Sequence, residues 1–248
     1  MKKLSNKITY TYWVWLHQLK SVLKGDIGTG LENAIGGNFN SLGRVMSDLL
    51  IHHGLQSDGY LIDVGCGAGR LTKFVESHLA NGRYLGIDII PRLLKHASKQ
   101  TNNPNFEFKT VSDLKIPEED ISADMVCFFS VFTHLLHEET FLYLEEAKRV
   151  LKHDGTVVFS FLDFEVADHW PVFENNIKNT QRHFEHLNMF IGRDAINCWA
   201  DRLGFSIVGI WKGDEPHIPL SEDIITDEGT KMESMGWLGQ SVCVLRKN

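Results

Sequence analysis

The stretch Leu61-Ile62-Asp63-Val64-Gly65-Cys66-Gly67-Ala68-Gly69 decides the architecture of this chain. Its first half, with Tyr60, is a short apolar run that reads as a strand buried on both faces. Its second half alternates three glycines with small residues. Glycine accepts positive φ and lets backbone approach closely, so the run predicts a tight turn from strand to helix. The helix expected over 69–80 puts Leu71, Phe74, Val75 and Leu79 on one face and stops at Asn81-Gly82. Free N–H groups at its start face whatever lies beyond the carboxyl end of the strand.

Working outward, strand and helix signals alternate. Strands are expected at 60–64, 83–88, 105–111, 123–129 and 156–162, with helices opening at Pro91 and covering 138–151. A helix at 192–203 stops at Gly204, and strands at 205–211 and 240–246 close the pattern. This rhythm predicts an α/β fold, a parallel sheet with helices on both faces. Upstream, 41–53 reads as a helix and 25–40 as a loop rich in Gly and Asn. Residues 1–25 read as a helix with aromatic and basic faces, suited either to peripheral contact with a membrane or partner or to packing on its own domain. The rhythm breaks over 163–191, which shows no clear period, and over 212–239, a long loop. The expected organisation is therefore a helical cap at 1–58 and a main domain at 59–248 with those two insertions.

Bulk composition narrows the classes. The chain has 248 residues, 43% hydrophobic and 23% charged, and is large enough for one well-packed domain. Its net charge of −7 argues against nucleic acid as a partner. Cys66, Cys127, Cys198 and Cys243 form no CxxC pair, so a reducing cytoplasm is the expected home. No run is long enough for a membrane span, and the interrupted apolar segment at 8–19 lacks a signal-peptide cleavage site.

The strand ends carry a consistent set of polar groups. A dinucleotide loop would read GxGxxG, whereas this one reads GxGxG with Asp63 two residues before the first glycine. A carboxylate there opposes a pyrophosphate and favours a ligand with ammonium and sulfonium charge. Asp88, before Ile89, ends the second strand where a carboxylate can accept two ribose hydroxyls. Ser112-Asp113-Leu114 follows the third strand and could read an adenine, although Asp113 suits a helix cap as well. Phe129-Ser130-Val131 ends the fourth strand with apolar walls and one hydroxyl.

These residues carry a resemblance. LIDVGCGAG at 61–69, Asp88, Ser112-Asp113 and the SVFTHL segment at 130–135 resemble the class I S-adenosylmethionine-dependent methyltransferases over about residues 60–162. The resemblance implies a Rossmann-like seven-stranded sheet whose last strand is antiparallel. It also implies S-adenosylmethionine as cofactor. Asp63, Gly65, Cys66, Gly67 and Gly69 would then line its methionine part, Asp88 and Ile89 its ribose, Ser112, Asp113 and Leu114 its adenine, and Phe129, Ser130 and Val131 the methyl side. The flanks at 35–55 and 239–247 are similar to segments of bacterial methyltransferases associated with cell-surface glycans and small metabolites.

Methyl transfer to a hydroxyl needs a base just beyond the fourth strand. His134 is the first candidate, with a structural cap of the following helix as its alternative role. Asp163, at the end of the fifth strand, is the second, and could equally cap a loop. His134 and His137, like His183 and His186, are three apart, but no third ligand is evident and no metal is expected. The seven acids between Asp214 and Glu233 suggest either attraction of a cationic acceptor or a solvated loop. The expected activity is methylation of a small molecule or glycan at a hydroxyl. N-methylation of an amine or amino sugar, or a non-catalytic cofactor-binding partner module, are the alternatives. Oligomeric state is not legible.

Overall fold

The computed structural model describes residues 38–181 and 188–248. The helix expected over 1–25, most of the 25–40 loop and the His183/His186 pair lie outside the described residues. In chain order the described elements are α1 (Phe39–His52), β1 (Tyr60–Val64), α2 (Arg70–Val75), β2 (Arg83–Asp88), α3 (Pro91–Ala97), β3 (Phe106–Thr110) and β4 (Ala123–Phe128). A 3-10 turn (Phe132–His134), α4 (His137–Val150) and β5 (Leu151–Phe161) follow. Then come a second 3-10 turn (Ala167–His169), α5 (Trp170–Gln181), α6 (Arg193–Leu203) and β6 (Phe205–Trp211). The short strands β7 (Ile218–Pro219), β8 (Ile224–Ile225), β9 (Lys231–Met232) and β10 (Met235–Gly236) precede β11 (Ser241–Lys247).

Seven strands form one sheet in the order β3-β2-β1-β4-β5-β11-β6. The last strand, β11, runs antiparallel to both β5 and β6 and lies between them, as the family resemblance implied. Alternation along each strand divides the core. Leu61, Met125, Cys127 and Val158 pack with Val45, Leu49, Leu71 and Val75 of α1 and α2 on one face. Ile62, Val126, Phe128 and Phe159 pack with Leu144, Ala147, Ile196 and Ala200 of α4 and α6 on the other. Both faces are covered, which is why β1 and β4 read as near-continuous apolar runs.

Local chemistry sets the helix ends. Glu139 accepts the Leu136 N–H at 3.0 Å at the start of α4, and Lys148 and Arg149 occupy its last turn, matching the helix dipole. Gly204 closes α6 at φ 68°.

Three segments depart from expectation. α2 has one and a half turns and gives way to turns before Asn81. β5 starts at Leu151 because its pairing with β4 jumps from Ala123↔Leu151 to Met125↔Thr156, which gathers the expected His153-Asp154-Gly155 turn into an irregular strand start. The aperiodic 163–191 segment contains α5, whose described part buries only Asn176. Its one short apolar row, Trp170, Phe173 and Ile177, stays outside the buried core and gives only a weak 3.6-residue signal. The 212–239 loop folds into two short ribbons, β7 with β10 and β8 with β9. Ile218, Ile224, Met232 and Leu238 from this segment pack against the α1 side of the core.

The strand-to-helix turn after β1 is where the backbone is most demanding. Gly65, Gly67 and Gly69 all adopt positive φ, at 73°, 56° and 85°. A Cβ on Gly69 would stand 2.7 Å from Ala97 Cα, a backbone atom that cannot swing away. Gly69→Ala is therefore expected to lower unfolding free energy by about 2–4 kcal/mol in urea denaturation, from left-handed strain plus overpacking.

Candidate functional site

The C-terminal ends of β1, β2, β4 and β5 and the start of β11 lie along one edge of the sheet, fixed by the pairs Val64↔Ile87, Phe128↔Phe159 and Ser241↔Phe161. The glycine turn opens this edge. Gly65 N–H and Cys66 N–H both donate to Ile87 O, at 2.7 and 3.1 Å, which pins the turn to β2. A Cβ on Gly65 would lie 2.5 Å from Val131 Cγ2, so the turn also nestles against the segment after β4. Cys66 is buried, and burial pushes its thiol well above the ordinary range, which leaves it a neutral packing group.

Asp88 sits under the turn. Its Oδ2 accepts Gly67 N–H at 3.0 Å and its Oδ1 accepts Ile90 N–H at 2.8 Å. Burial pushes its carboxyl up to about 6, against the opposing pull of those backbone donors. An ionised carboxylate has about four lone-pair positions, so two remain for ligand hydroxyls. Asp63 is different. It is 3% exposed, and its oxygens accept the Tyr84 hydroxyl at 2.7 Å and the Cys127 thiol at 3.6 Å. Tyr84 in turn accepts the Thr72 hydroxyl at 2.9 Å. Asp63 shares the sheet face of Leu61, opposite Gly86 and Cys127, so its side chain enters the core instead of the strand edge. Burial, with the nearby Asp88 charge, pushes its carboxyl up to about 6 against the Tyr84 and Cys127 hydrogen bonds.

Ile89, Leu114 and Val131 are half-buried apolar groups, and Phe129 is buried. Ser112 and Asp113 are exposed. Asp113 Oδ1 accepts Lys115 N–H at 3.3 Å, a local turn contact. An open hollow of about 590 Å³ runs along 110–119, and of the expected cofactor residues it includes only Ser112 and Asp113.

Beyond β4 the chain turns sharply. Ser130 holds φ 58°, and its N–H donates to Ser160 Oγ at 2.8 Å. His134 ends the 3-10 turn, half-buried, with its N–H on Val131 O at 2.9 Å. It therefore stands on the segment that follows the β4 tip. Asp163 does not present a free carboxylate. It is 1% exposed, Arg193 Nε donates to its Oδ2 at 2.9 Å, and Ser241 Oγ reaches the same oxygen at 3.3 Å. Its Oδ1 accepts Glu165 N–H at 3.0 Å. The geometry makes Asp163 a tie between the β5 end, α6 and β11.

Four residues that the sequence did not single out complete this corner: His169, Arg193, Ser160 and Gln240. His169 Nδ1 accepts Asp163 N–H at 2.9 Å, and its Nε2 lies 2.8 Å from Gly239 O. Gln240 Oε1 accepts the hydroxyls of Ser160 at 2.7 Å and Ser130 at 3.3 Å. The only sequence signal for Gln240 was a polar residue directly before the final apolar strand.

Four of the seven acids of this segment are ion-paired locally. Glu222 pairs with Arg44, Lys231 bridges Asp223 and Glu233, Lys212 meets Glu215 at 3.5 Å, and Asn38 binds both Asp227 and Glu228. Much of the charge proposed to draw in a cation instead fastens the ribbons to α1 and to one another. Among the described residues no group of three or more His, Cys, Asp or Glu is arranged to hold a metal ion. No helix among them is long and apolar enough to cross a membrane.

Comparison with known proteins agrees with this geometry. Residues 62–159 match the family profile of the methyltransferase domain. A malonyl-[acyl-carrier protein] O-methyltransferase of Hahella chejuensis is 26% identical over 176 residues, covering 69% of this chain and 56% of that protein. The chain spans about half the length of the curated relatives it matches, between 43% and 56% of the first three. An S-adenosylmethionine-dependent methyltransferase from Methanosarcina mazei aligns with a TM-score of 0.58 at 18% identity, over 80% of this chain and 96% of that one. Magnesium protoporphyrin IX methyltransferase from Synechocystis, solved with bound S-adenosylhomocysteine, aligns at 0.57 and 16% identity over 83% and 84%. At these identities the solved structures establish the shared fold, while the family match spans β1 through most of β5, the strands that carry the glycine turn and Asp88. Residues 62–159 of this chain therefore match a methyltransferase domain, carried on the fold that S-adenosylmethionine-dependent methyltransferases share.

Proposed function

We propose that this chain transfers the methyl group of S-adenosylmethionine to a small molecule or glycan at a hydroxyl oxygen. One observation supports this most: the glycine turn, held at positive φ over Asp88, opens onto the same sheet edge as an oxygen-rich corner made by Ser130, Ser160 and Gln240. The residues fit the cofactor. The turn leaves no room for a Cβ at Gly65 or Gly69, Asp88 keeps acceptor capacity for ribose hydroxyls, and Ile89, Leu114 and Val131 offer apolar surface for a base. The bound cofactor supplies an activated methyl on a sulfonium, so the protein's share is to place the acceptor and exclude water.

In this account His134 takes the acceptor proton, since Asp163 is held by Arg193. The relatives named as O-methyltransferases favour oxygen over nitrogen, and the ion pairs that hold four of the seven 212–239 acids weaken the reason to expect an amine. The 59–248 domain works as the catalytic unit, with α1 and the segment before it as its cap. A reducing cytoplasm suits its four unpaired cysteines.

Two variants test this. Asp88→Ala should weaken S-adenosylmethionine binding by about a hundredfold in calorimetry while the far-ultraviolet spectrum stays native, the loss of two charge-assisted bonds. Unchanged affinity would remove Asp88 from the ribose. His134→Ala should lower turnover about a hundredfold or more with cofactor affinity intact. Full turnover would make it a structural residue.

The pH dependence has opposite signs for folding and for binding. Asp63 and Asp88 titrate near 6 when folded and near 3.8 as reference groups, so the folded apo-protein takes up protons first. Their burial cost, about 3 kcal/mol each, is fully present above that window and is relieved as pH falls through it. These two groups should thus raise apo-protein stability towards about pH 5, whereas affinity for the cationic cofactor should fall at least about tenfold between about pH 7.5 and about pH 5. Melting curves and calorimetry at the two values check both signs.

A further inference from the structure

Ser130, at the tip of β4, holds a left-handed backbone at φ 58°. A residue with a Cβ pays for that conformation in steric crowding and keeps it only where its surroundings fix it. Here the fixing is done from β5. Ser130 N–H donates to Ser160 Oγ at 2.8 Å, and Ser160 donates its own proton to Gln240 Oε1 at 2.7 Å. With that proton committed, a lone pair of Ser160 is left to face the Ser130 N–H. The Ser130 hydroxyl reaches the same Gln240 oxygen at 3.3 Å, and the Ser130 carbonyl accepts the Thr133 hydroxyl at 3.0 Å. Ser160 is 2% exposed and pairs with Val242 inside the sheet, so it is an anchor on a rigid frame.

The next residue shows what the conformation places. The three atoms nearest to where a Cβ of Gly65 would stand all belong to the Val131 side chain, the first at 2.5 Å. Val131 therefore fills the space that the glycine leaves. It backs the first residue of the glycine turn, which is itself left-handed at φ 73°. Ile87 O holds the same residue through its N–H at 2.7 Å. A change of φ at Ser130 redirects every atom that follows it, so Val131 would either leave Gly65 or collide with it.

We propose that Ser160 is a positioning residue for S-adenosylmethionine: by holding the Ser130 N–H it keeps Val131 against Gly65, and so keeps the glycine turn in its binding conformation. This rests on the methyltransferase reading and adds to it a residue of β5 that acts through Ser130 and Val131. The role has a specific signature. If Ser160 serves to hold a left-handed residue, it becomes dispensable once that residue adopts the conformation freely, and glycine does so. Ser130→Gly should therefore rescue the loss of the Ser160 hydroxyl, which a general packing role for Ser160 would not allow.

The readout is calorimetric titration of the full chain with S-adenosylhomocysteine, beside urea denaturation of each variant. Ser160→Ala should weaken binding by about tenfold. Ser130→Gly combined with Ser160→Ala should bind within about threefold of the wild-type protein. Ser241→Ala removes a buried hydroxyl from the same corner, one that reaches Asp163 and not the Ser130 turn. It should lower the urea midpoint and leave affinity within about twofold. Unchanged affinity in Ser160→Ala, no recovery in the double variant, or an equal loss in Ser241→Ala overturns the assignment and leaves the cofactor reading standing. Should Ser160→Ala alone fail to fold, the comparison is made in the Ser130→Gly protein with and without Ser160→Ala. Equal binding there supports the assignment, and a further loss of about tenfold or an unfolded double variant overturns it. Failure of the wild-type protein to bind S-adenosylhomocysteine overturns the cofactor reading itself and the Ser160 proposal with it.

Discussion

The Asp88 carboxylate beneath the Gly67 N–H is the contact on which the site depends. It ties the first strand-to-helix turn to the end of the second strand, and it does so with a buried charge. Removing a carboxylate from water is costly unless donors surround it. Here the backbone N–H groups of Gly67 and Ile90 do so in part, and the remaining cost appears as a carboxyl pushed up to about 6. A site that stores this cost in the absence of ligand can recover it when a cation binds. The same holds for Asp63, one pleat back inside the sheet, whose charge rests on the Tyr84 hydroxyl.

The second constraint is topological. Inserting β11 antiparallel between β5 and β6 brings the chain back to the cofactor edge just before its final strand. That return places Gln240 beside Ser160 and lets Ser241 reach Asp163. The ion pair of Asp163 with Arg193 then locks the end of β5 to α6. This corner is built from four separate stretches of chain, and their common task is to hold the loops that follow β4 and β5 in place. Rigid placement of an acceptor is what a pre-activated methyl donor asks of a protein.

The sheet was legible because its strands are buried on both faces. β1 and β2 match the expected boundaries, the Pro91 start of α3 and the Gly204 stop of α6 follow from local chemistry, and the antiparallel last strand followed from the family resemblance. The glycine turn was legible for the same reason that it exists, since only glycine accepts three positive φ values in five residues. What could not be read depends on contacts distant in sequence. The ion pair of Asp163 could not be read because nothing near it in the chain reveals Arg193, thirty residues on. The acids of 212–239 looked like a field for a cation because Arg44 and Asn38 lie far upstream. α5 was missed because its apolar row is short and unburied, and Gln240 because a single polar residue before a strand carries no pattern.

The central claim is that the buried Asp88 carboxylate and a glycine turn at one sheet edge, with Asp63 behind them in the core, select a sulfonium nucleoside over a pyrophosphate. Direct competition tests it most simply: calorimetric titration of the apo-protein with S-adenosylmethionine, and separately with NAD, under identical conditions. The account predicts saturable heat with the first and none with the second. Binding of NAD with no heat from S-adenosylmethionine would contradict it.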